Sequence, residues 1–269
     1  MIKKLFPFII VILAVILGVS CYMVISNVTQ SNNEIEEFED LLGIIYTSTP
    51  LQESSNTEVS AEDISTDTSE KGGESLPDEQ APIFKRNLAP LFEQNADCIG
   101  WVYIENTKID YPVMFTPEEP QKYLNRNFKQ KYSSSGVPFL QENAPLQSDN
   151  LILYGHNMKN GTMFAAVKEY RKESFLAEHP IIEFETVNGL KCYRVFAVVQ
   201  LKNTDPWYSF ISAADESEFD QAVSDILARA LHKTDVIPEY GQQLITLSTC
   251  YGSEKDDRII IIGFETKAE

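Results

Sequence analysis

The pattern of apolar and polar positions divides the chain into three parts. Residues 5–25 contain no charged residue and are almost entirely apolar. Residues 47–80 consist mainly of Ser, Thr, Asp and Glu, whereas residues 81–269 contain short apolar runs separated by turn-forming residues. Because these three patterns are typical of different structures, they predict a membrane helix, a flexible segment and a folded domain.

The apolar segment is long enough to cross a membrane. Its twenty-one residues, at 1.5 Å per helical residue, span a hydrocarbon core of about 30 Å. Lys3 and Lys4 precede it and acidic residues follow it, which predicts a cytoplasmic N-terminus and an extracellular remainder. A cleaved signal peptide has a shorter apolar region of about 7–15 residues, and Cys21, which faintly resembles a lipoprotein acceptor site, is followed by further apolar residues. The sequence therefore favours a single-pass transmembrane anchor over residues 1–26.

The segment after the anchor, residues 27–80, is strongly acidic. Residues 26–80 hold fourteen acidic residues and one basic residue. Within this segment, residues 34–45 carry apolar side chains at i, i+3 and i+4 spacing, which predicts a short juxtamembrane helix. Residues 47–80 cannot bury enough apolar surface to offset their chain entropy. We therefore expect residues 27–80 to be an acidic, Ser/Thr-rich extracellular spacer that is flexible from residue 47 onward.

The charge of the chain excludes one class of partner. The formal net charge is −18, and both nucleic acids and anionic lipid headgroups attract basic surfaces. We therefore expect no nucleic-acid partner. Most of the charge belongs to the spacer, since residues 81–269 hold 26 acidic and 19 basic residues.

Residues 81–269 are predicted to form one mainly β domain. A first helix is expected over residues 83–94, and helical insertions are expected over residues 163–178 and 216–233. The strand candidates are residues 98–104, 108–114, 151–154, 181–187, 190–201, 243–250 and 258–265. Asn188-Gly189 between two of them is typical of a hairpin turn. Many strands with few helices favour a closed β-barrel of about eight strands with an N-terminal helix and helical insertions.

The cysteines are candidates for different roles. Cys98 and Cys192 lie in apolar strand patterns and are expected to be small core residues rather than a disulfide or metal ligands. The chain contains neither a C-x-x-C nor an H-E-x-x-H pattern, so a zinc site is not predicted. Cys250 ends a strand and is followed at once by loop residues, which allows its thiol to project into a cleft.

Two further side chains could join Cys250. His156 lies where the strand 151–154 gives way to a loop, whereas His179 and His232 lie at predicted helix ends, where a structural role is expected. Arg258 begins the last strand, so a hairpin would place it beside Cys250. A guanidinium there would favour the thiolate or stabilise an oxyanion, although a surface ion pair with Asp256 or Asp257 is an alternative.

These residues carry a resemblance to a known family. Thr246-Leu247-Ser248-Thr249-Cys250 resembles the T-L-x-T-C sequence of sortases, the membrane-anchored transpeptidases of Gram-positive bacteria, and Tyr154-Gly155-His156 and Arg258 resemble their histidine and arginine regions. The resemblance covers residues 83–265. Ile99-Gly100-Trp101, the helix before the barrel and the long helix at residues 216–233 are most similar to class B.

The resemblance implies a mechanism and partners. Cys250 would attack the Thr carbonyl of a C-terminal sorting motif, commonly N-P-x-T-x in class B, to form a thioacyl enzyme, while His156 would exchange the proton and Arg258 would hold substrate or oxyanion. Tyr154, Ser248 and Thr249 would contact substrate. The partners would be secreted surface proteins and an amino group of a peptidoglycan precursor or cross-bridge; no cofactor would be needed. Residues 202–215 occupy the place of the family's specificity loop.

Two other functions remain open at this point. A cell-surface cysteine peptidase could use the same three residues to release its product to water. An inactive surface binding protein could keep the fold, although it would have no need of Cys250, His156 and Arg258 together. Tyr154 could equally be a core residue.

Overall fold

The computed structural model describes residues 2–47 and 82–266. The predicted flexible segment, residues 47–80, lies outside these ranges except for Thr47. The division of the chain at residues 26/27 and 80/81 therefore stays a prediction, and the description below concerns the N-terminal helix and the β domain.

One long helix, α1 (Ile2–Thr47), contains both predicted N-terminal helical segments. The apolar side chains described between residues 13 and 25 are exposed, as lipid-facing side chains are. The stretch Leu13–Tyr46 is long and apolar enough to cross a membrane by length and composition.

The C-terminal part of α1 packs on the β domain. Phe38, Leu41 and Ile45 are 7%, 1% and 0% exposed and belong to the main hydrophobic core. Phe38 meets Tyr111 edge to face, with ring centroids 5.1 Å apart. The amphipathic spacing of residues 34–45 thus has a tertiary cause, since its apolar face covers the barrel.

The chain re-enters the domain beside the end of α1. The backbone N–H of Asn87 donates to the carbonyl of Ile45 at 3.3 Å. The buried carboxylate of Glu185 accepts hydrogen bonds from the backbone N–H groups of Lys85 and Arg86 and from the Arg86 guanidinium. These contacts join α1, residues 85–87 and the barrel in one packed unit.

Eight strands form a closed barrel, as predicted. They are β1 (Cys98–Tyr103), β2 (Asp110–Met114), β3 (Phe139–Leu140), β4 (Asn150–Tyr154), β5 (Ile181–Thr186), β6 (Gly189–Lys202), β7 (Leu244–Cys250) and β8 (Asp257–Thr266). Their order around the barrel is β1-β2-β3-β4-β7-β8-β6-β5, and β5 pairs with β1. The β4–β7 pair is parallel, so both strands end at the same rim.

The strand β8 shows why this sheet has two cores. Ile259 and Ile261 belong to the main core, whereas Ile260 and Ile262 belong to a second core beneath the helix α4 (Glu216–Leu227). Successive strand side chains point to opposite faces. A run of four isoleucines therefore indicates a strand that is covered on both sides.

The helices differ from the sequence prediction. The predicted helix 83–94 is present only as α2 (Ala89–Gln94), because Pro90 lacks an N–H and fits the first helical turn but not a helix interior. Residues 163–178 form a 3₁₀ helix, Phe164–Arg171, followed by α3 (Glu173–Glu178). The helix predicted to reach residue 233 ends at Leu227.

Candidate active site

Cys250 and Arg258 face each other across two neighbouring strands. Cys250 is the last residue of β7 and pairs in antiparallel register with Arg258 of β8. The other residues of β7 are buried, whereas Cys250 is exposed. The rigid strand therefore fixes a thiol at the barrel surface with a guanidinium as its cross-strand neighbour.

The parallel strand β4 brings His156 to the same rim. Tyr154 pairs with Ser248, so the chain continues through Gly155 and His156 beside Thr249 and Cys250. The Thr249 hydroxyl donates to the Gly155 carbonyl at 2.7 Å, which fastens the two strand ends together. We call this edge, with His156, Cys250 and Arg258, the candidate catalytic rim.

Gly155 is required for this close approach. A Cβ atom at this position would lie 2.6 Å from the Phe164 ring, which is too close for a side chain. The neighbouring Asn157 donates from its side-chain amide to the Cys250 carbonyl at 3.0 Å. The loop after His156 is thus tied directly to the residue that carries the thiol.

His156 is oriented by a backbone carbonyl. Its Nε2 atom lies 2.8 Å from the oxygen of Leu124. Because a carbonyl can only accept a hydrogen bond, Nε2 carries the proton in this contact. Nδ1 is then the nitrogen left to exchange a proton in a reaction.

Arg258 is held by backbone oxygens rather than by carboxylates. Its Nη1 atom donates to the carbonyls of Lys255 and Asp257, both at 2.9 Å. The carboxylates of Asp256 and Asp257 pair with Lys202 instead, at 3.2 and 2.6 Å. Arg258 therefore does not form the surface ion pair that was its alternative role. Its side chain lines a groove instead.

The groove over the rim has a volume of about 430 Å³. The segment 202–215, which contains Tyr208, forms one side of the groove. Residues 115–138, which we call the wall loop, form the other side. Tyr154 stacks on Tyr208 with ring centroids 5.9 Å apart, and the Tyr208 hydroxyl contacts that of Ser248 at 2.7 Å. Burial raises the pKa of Tyr208 to about 12 and raises the pKa of Tyr154 further, so both remain neutral hydroxyls near pH 7.

The comparisons with known proteins bear on this site directly. The family model described as Sortase domain matches residues 102–265, which include His156, Cys250 and Arg258. The chain belongs to the sortase family.

Its relatives define the class. Sortase B of Listeria monocytogenes is 33% identical over 183 residues, 65% of this chain and 72% of the relative. The 2.0 Å crystal structure of Staphylococcus aureus sortase B has a TM-score of 0.64 and 27% identity, and the match covers 70% of this chain and 90% of that chain. Sortase B from B. anthracis in complex with AAEK1 matches with a TM-score of 0.62 and 27% identity over 71% and 91% of the two chains. This sortase is of class B, and it is a cysteine transpeptidase of the cell-surface sorting type.

The predicted substrate residues differ in their accessibility. Tyr154 is half-buried and lines the groove of this sortase, and its hydroxyl donates to Gln141 at 2.5 Å. Ser248 and Thr249 also line the groove but are almost fully buried, and their hydroxyls already have partners. Their contact with substrate stays a prediction.

Four groups that shape the site of this sortase were not identified from the sequence. They are Gln141, Asn157, Tyr208 and the Leu124 carbonyl. Tyr208 lies in the segment 202–215 that was predicted as the specificity loop. The others gave no usable pattern, because a backbone oxygen or a single amide has no characteristic spacing.

The remaining cysteines and histidines of this sortase have structural surroundings. Cys98 is buried in the core, where burial raises the pKa of its thiol to about 12, and Cys192 is half-buried. His179 and His232 contact the carbonyls of Glu105 and Tyr170. Within the described residues there is no group of three or more His, Cys, Asp or Glu that could hold a metal ion.

Proposed function

We propose that Cys250 is the nucleophile, His156 the general acid and base, and Arg258 the cationic partner of a sorting reaction. The observation that carries this assignment is the candidate catalytic rim itself: two parallel strand ends and one antiparallel neighbour bring the three side chains to one groove. A neighbouring cation favours the thiolate over the thiol, and the thiolate is the form that attacks.

The reaction has two transfers. The Cys250 thiolate attacks the carbonyl carbon of the motif's Thr, the peptide C–N bond breaks, and the departing amine takes a proton from the His156 imidazolium. A thioester to Cys250 remains. An acceptor amine then attacks the thioester and gives its proton to His156, and the thiolate leaves. Each transfer passes through an oxyanion, which the charge of Arg258 would stabilise.

The proposed substrates are secreted proteins with a C-terminal sorting motif of the N-P-x-T-x kind. The acceptor is an amino group of a peptidoglycan precursor or cross-bridge. The open groove, with Tyr154 and Tyr208 stacked along it, supports the binding of an extended peptide. In this proposal Tyr154 contacts the peptide, whereas Ser248 and Thr249 shape the floor on which it lies.

We place this activity at the outer face of a membrane. The uncharged stretch of α1, with Lys3 and Lys4 before it, supports a single-pass anchor with a cytoplasmic N-terminus. The domain then lies outside the cell, where secreted proteins and wall precursors meet.

Mass spectrometry of the acyl-enzyme tests the proposal. The chain is incubated with a panel of sorting peptides, and the acyl fragment is expected on Cys250, from which hydroxylamine or an acceptor amine releases it. An adduct on another cysteine would contradict the assignment. If the products are the same with and without an amine, the chain is a hydrolase rather than a transpeptidase.

A further inference from the structure

We infer that the C-terminal part of α1, which packs on the barrel, positions His156 through the wall loop. Glu37 is the residue of α1 that makes the positioning contact. This inference rests on the proposed role of His156. It concerns a side chain that does not line the groove, so Glu37 is a positioning residue.

The wall loop forms a small antiparallel ladder. The backbone N–H of Val137 donates to Tyr123 O at 3.0 Å, that of Ser133 to Asn125 O at 3.1 Å, and that of Asn127 to Lys131 O at 2.8 Å. Leu124, whose carbonyl contacts His156, lies near the base of this ladder, and Asn127 lies near its tip. A displacement of the tip therefore reaches the histidine through only a few hydrogen-bonded residues.

The tip of the ladder is fastened to α1. The Asn127 amide donates to Glu37 Oε2 at 2.5 Å, while its own oxygen accepts from the Lys131 N–H at 2.7 Å. One helical turn earlier, Glu34 accepts from the backbone N–H of Ser134 at 3.0 Å. Two carboxylates of α1 thus hold the two arms of the ladder.

Stability alone does not explain the burial of Glu37. Its Oε1 atom is buried and has no hydrogen-bond partner among the described residues. A buried carboxylate oxygen without a partner costs free energy. What Glu37 supplies is a fixed, directional acceptor for Asn127, which is what positioning requires.

The same helix continues into the predicted membrane anchor. Glu34 lies nine positions after Ile25 in this helix, or about 14 Å along its axis. The wall of the groove is therefore built on the extension of the anchor, close to the membrane surface.

A swap of the two side chains tests the inference in the full-length chain in detergent micelles. Asn127→Asp keeps the acceptor for Lys131 but sets two carboxylates against each other, and a misplaced histidine is expected to lower kcat/KM for a sorting peptide about tenfold. Adding Glu37→Gln restores a donor to the pair, so the double variant should recover most of the activity. Glu36→Ala, which removes an exposed acid from the same helix, is the control and should match the wild type.

The histidine spectra test positioning without any peptide. In chains labelled with ¹⁵N-histidine, Asn127→Asp should shift the Nε2–H signal of His156 and speed its exchange, because its bond to Leu124 O loosens. His179 and His232, which also contact backbone carbonyls, are internal controls and should stay unchanged.

The outcomes separate this inference from the proposed function. A wild-type chain that acylates no cysteine would contradict the proposed function, whereas the spectra would still report on positioning. Unaltered activity in Asn127→Asp, or no recovery in the double variant, would overturn the inference. Movement of all three histidine signals together would also overturn it, since the contact would then support the whole fold.

Discussion

Two parts of the groove are held in place by different kinds of structure. The rim that carries His156, Cys250 and Arg258 is the end of a continuous sheet, with register fixed by β4, β7 and β8. The wall loop contains no strand of the barrel, and side-chain hydrogen bonds join it to α1 and to residues 95–97, which precede β1.

The hydrogen bonds of Asn95 and Asp97, which precede β1, illustrate how the wall loop is held. The buried amide of Asn95 donates to the Tyr123 hydroxyl and to the Phe128 carbonyl, at 2.8 and 2.6 Å. Asp97 accepts from Lys122 and Tyr123, at 2.7 and 2.8 Å. The proposed reacting groups therefore lie on the part that is held by sheet register, whereas the part that contacts His156 is held by individual side chains.

The largest expected effect is at the rim. Cys250→Ala should abolish peptide cleavage and leave the unfolding temperature unchanged, because the exposed thiol contributes no core packing. His156→Ala should be nearly as damaging, since neither His179 nor His232 lies at the groove. Peptide cleavage and thermal melts measure both. Residual cleavage by Cys250→Ala would show that another group is the nucleophile.

Arg258→Lys should lose roughly a hundredfold in kcat, as typical when one group that stabilises an oxyanion is removed. A lysine keeps the charge but not the planar fork that can bond two backbone carbonyls and still face the groove. Steady-state kinetics with a sorting peptide measure the loss. Full activity in this variant would mean that only the charge matters.

Two N-terminal truncations should distinguish the predicted anchor from the part of α1 that packs on the barrel. A chain that begins at residue 27 keeps the docked helix and should be soluble and active. A chain that begins at residue 82 loses Phe38, Leu41 and Ile45, each worth roughly 1.5–3 kcal/mol of burial, and should unfold at lower denaturant concentration with reduced activity. Chemical denaturation compares the two; equal stability would contradict the packing of α1 on the barrel.

Lowering the pH should weaken the contacts that hold the wall loop before it affects the rim. Burial alone would raise the pKa of Asp97, but hydrogen bonds from Lys122 and Tyr123 lower it below its ordinary value. The contribution of Asp97 is therefore fully present above a pH of about 4, the unfolded pKa, and is lost as the pH falls through the folded value.

The variant Asp97→Asn measures this smallest effect. It should cost about 1 kcal/mol at neutral pH, and the difference in unfolding free energy from the wild type should shrink as the pH falls below about 4. The fluorescence of Trp101, which lies in the barrel, can record these unfolding curves. Its indole N–H donates to Asp110 and not to Asp97. A constant difference down to low pH would exclude this role for Asp97.

Much of the barrel was predictable, and the errors have local causes. Seven of the eight strands follow from apolar runs and turns; β3, with two residues, is too short to leave a pattern. The predicted helix 83–94 was wrong at its start, because Pro90 lacks an N–H and fits only the first turn of a helix. The hairpin between β5 and β6 is confirmed, with Gly189 at a φ of +105°.

The sequence by itself supplied the candidate residues for the chemistry of this sortase, because a strand end and the pattern Thr246-Leu247-Ser248-Thr249-Cys250 are both local features. Cys250 ends an apolar run, His156 follows one and Arg258 begins one, and a position at the end of such a run indicates a side chain that can reach solvent. The wall was decided only by the tertiary structure. Leu124 O meets His156, and Glu37 meets Asn127, across 32 and 90 residues of chain, and such contacts depend on how α1 and the barrel pack rather than on any spacing within one segment.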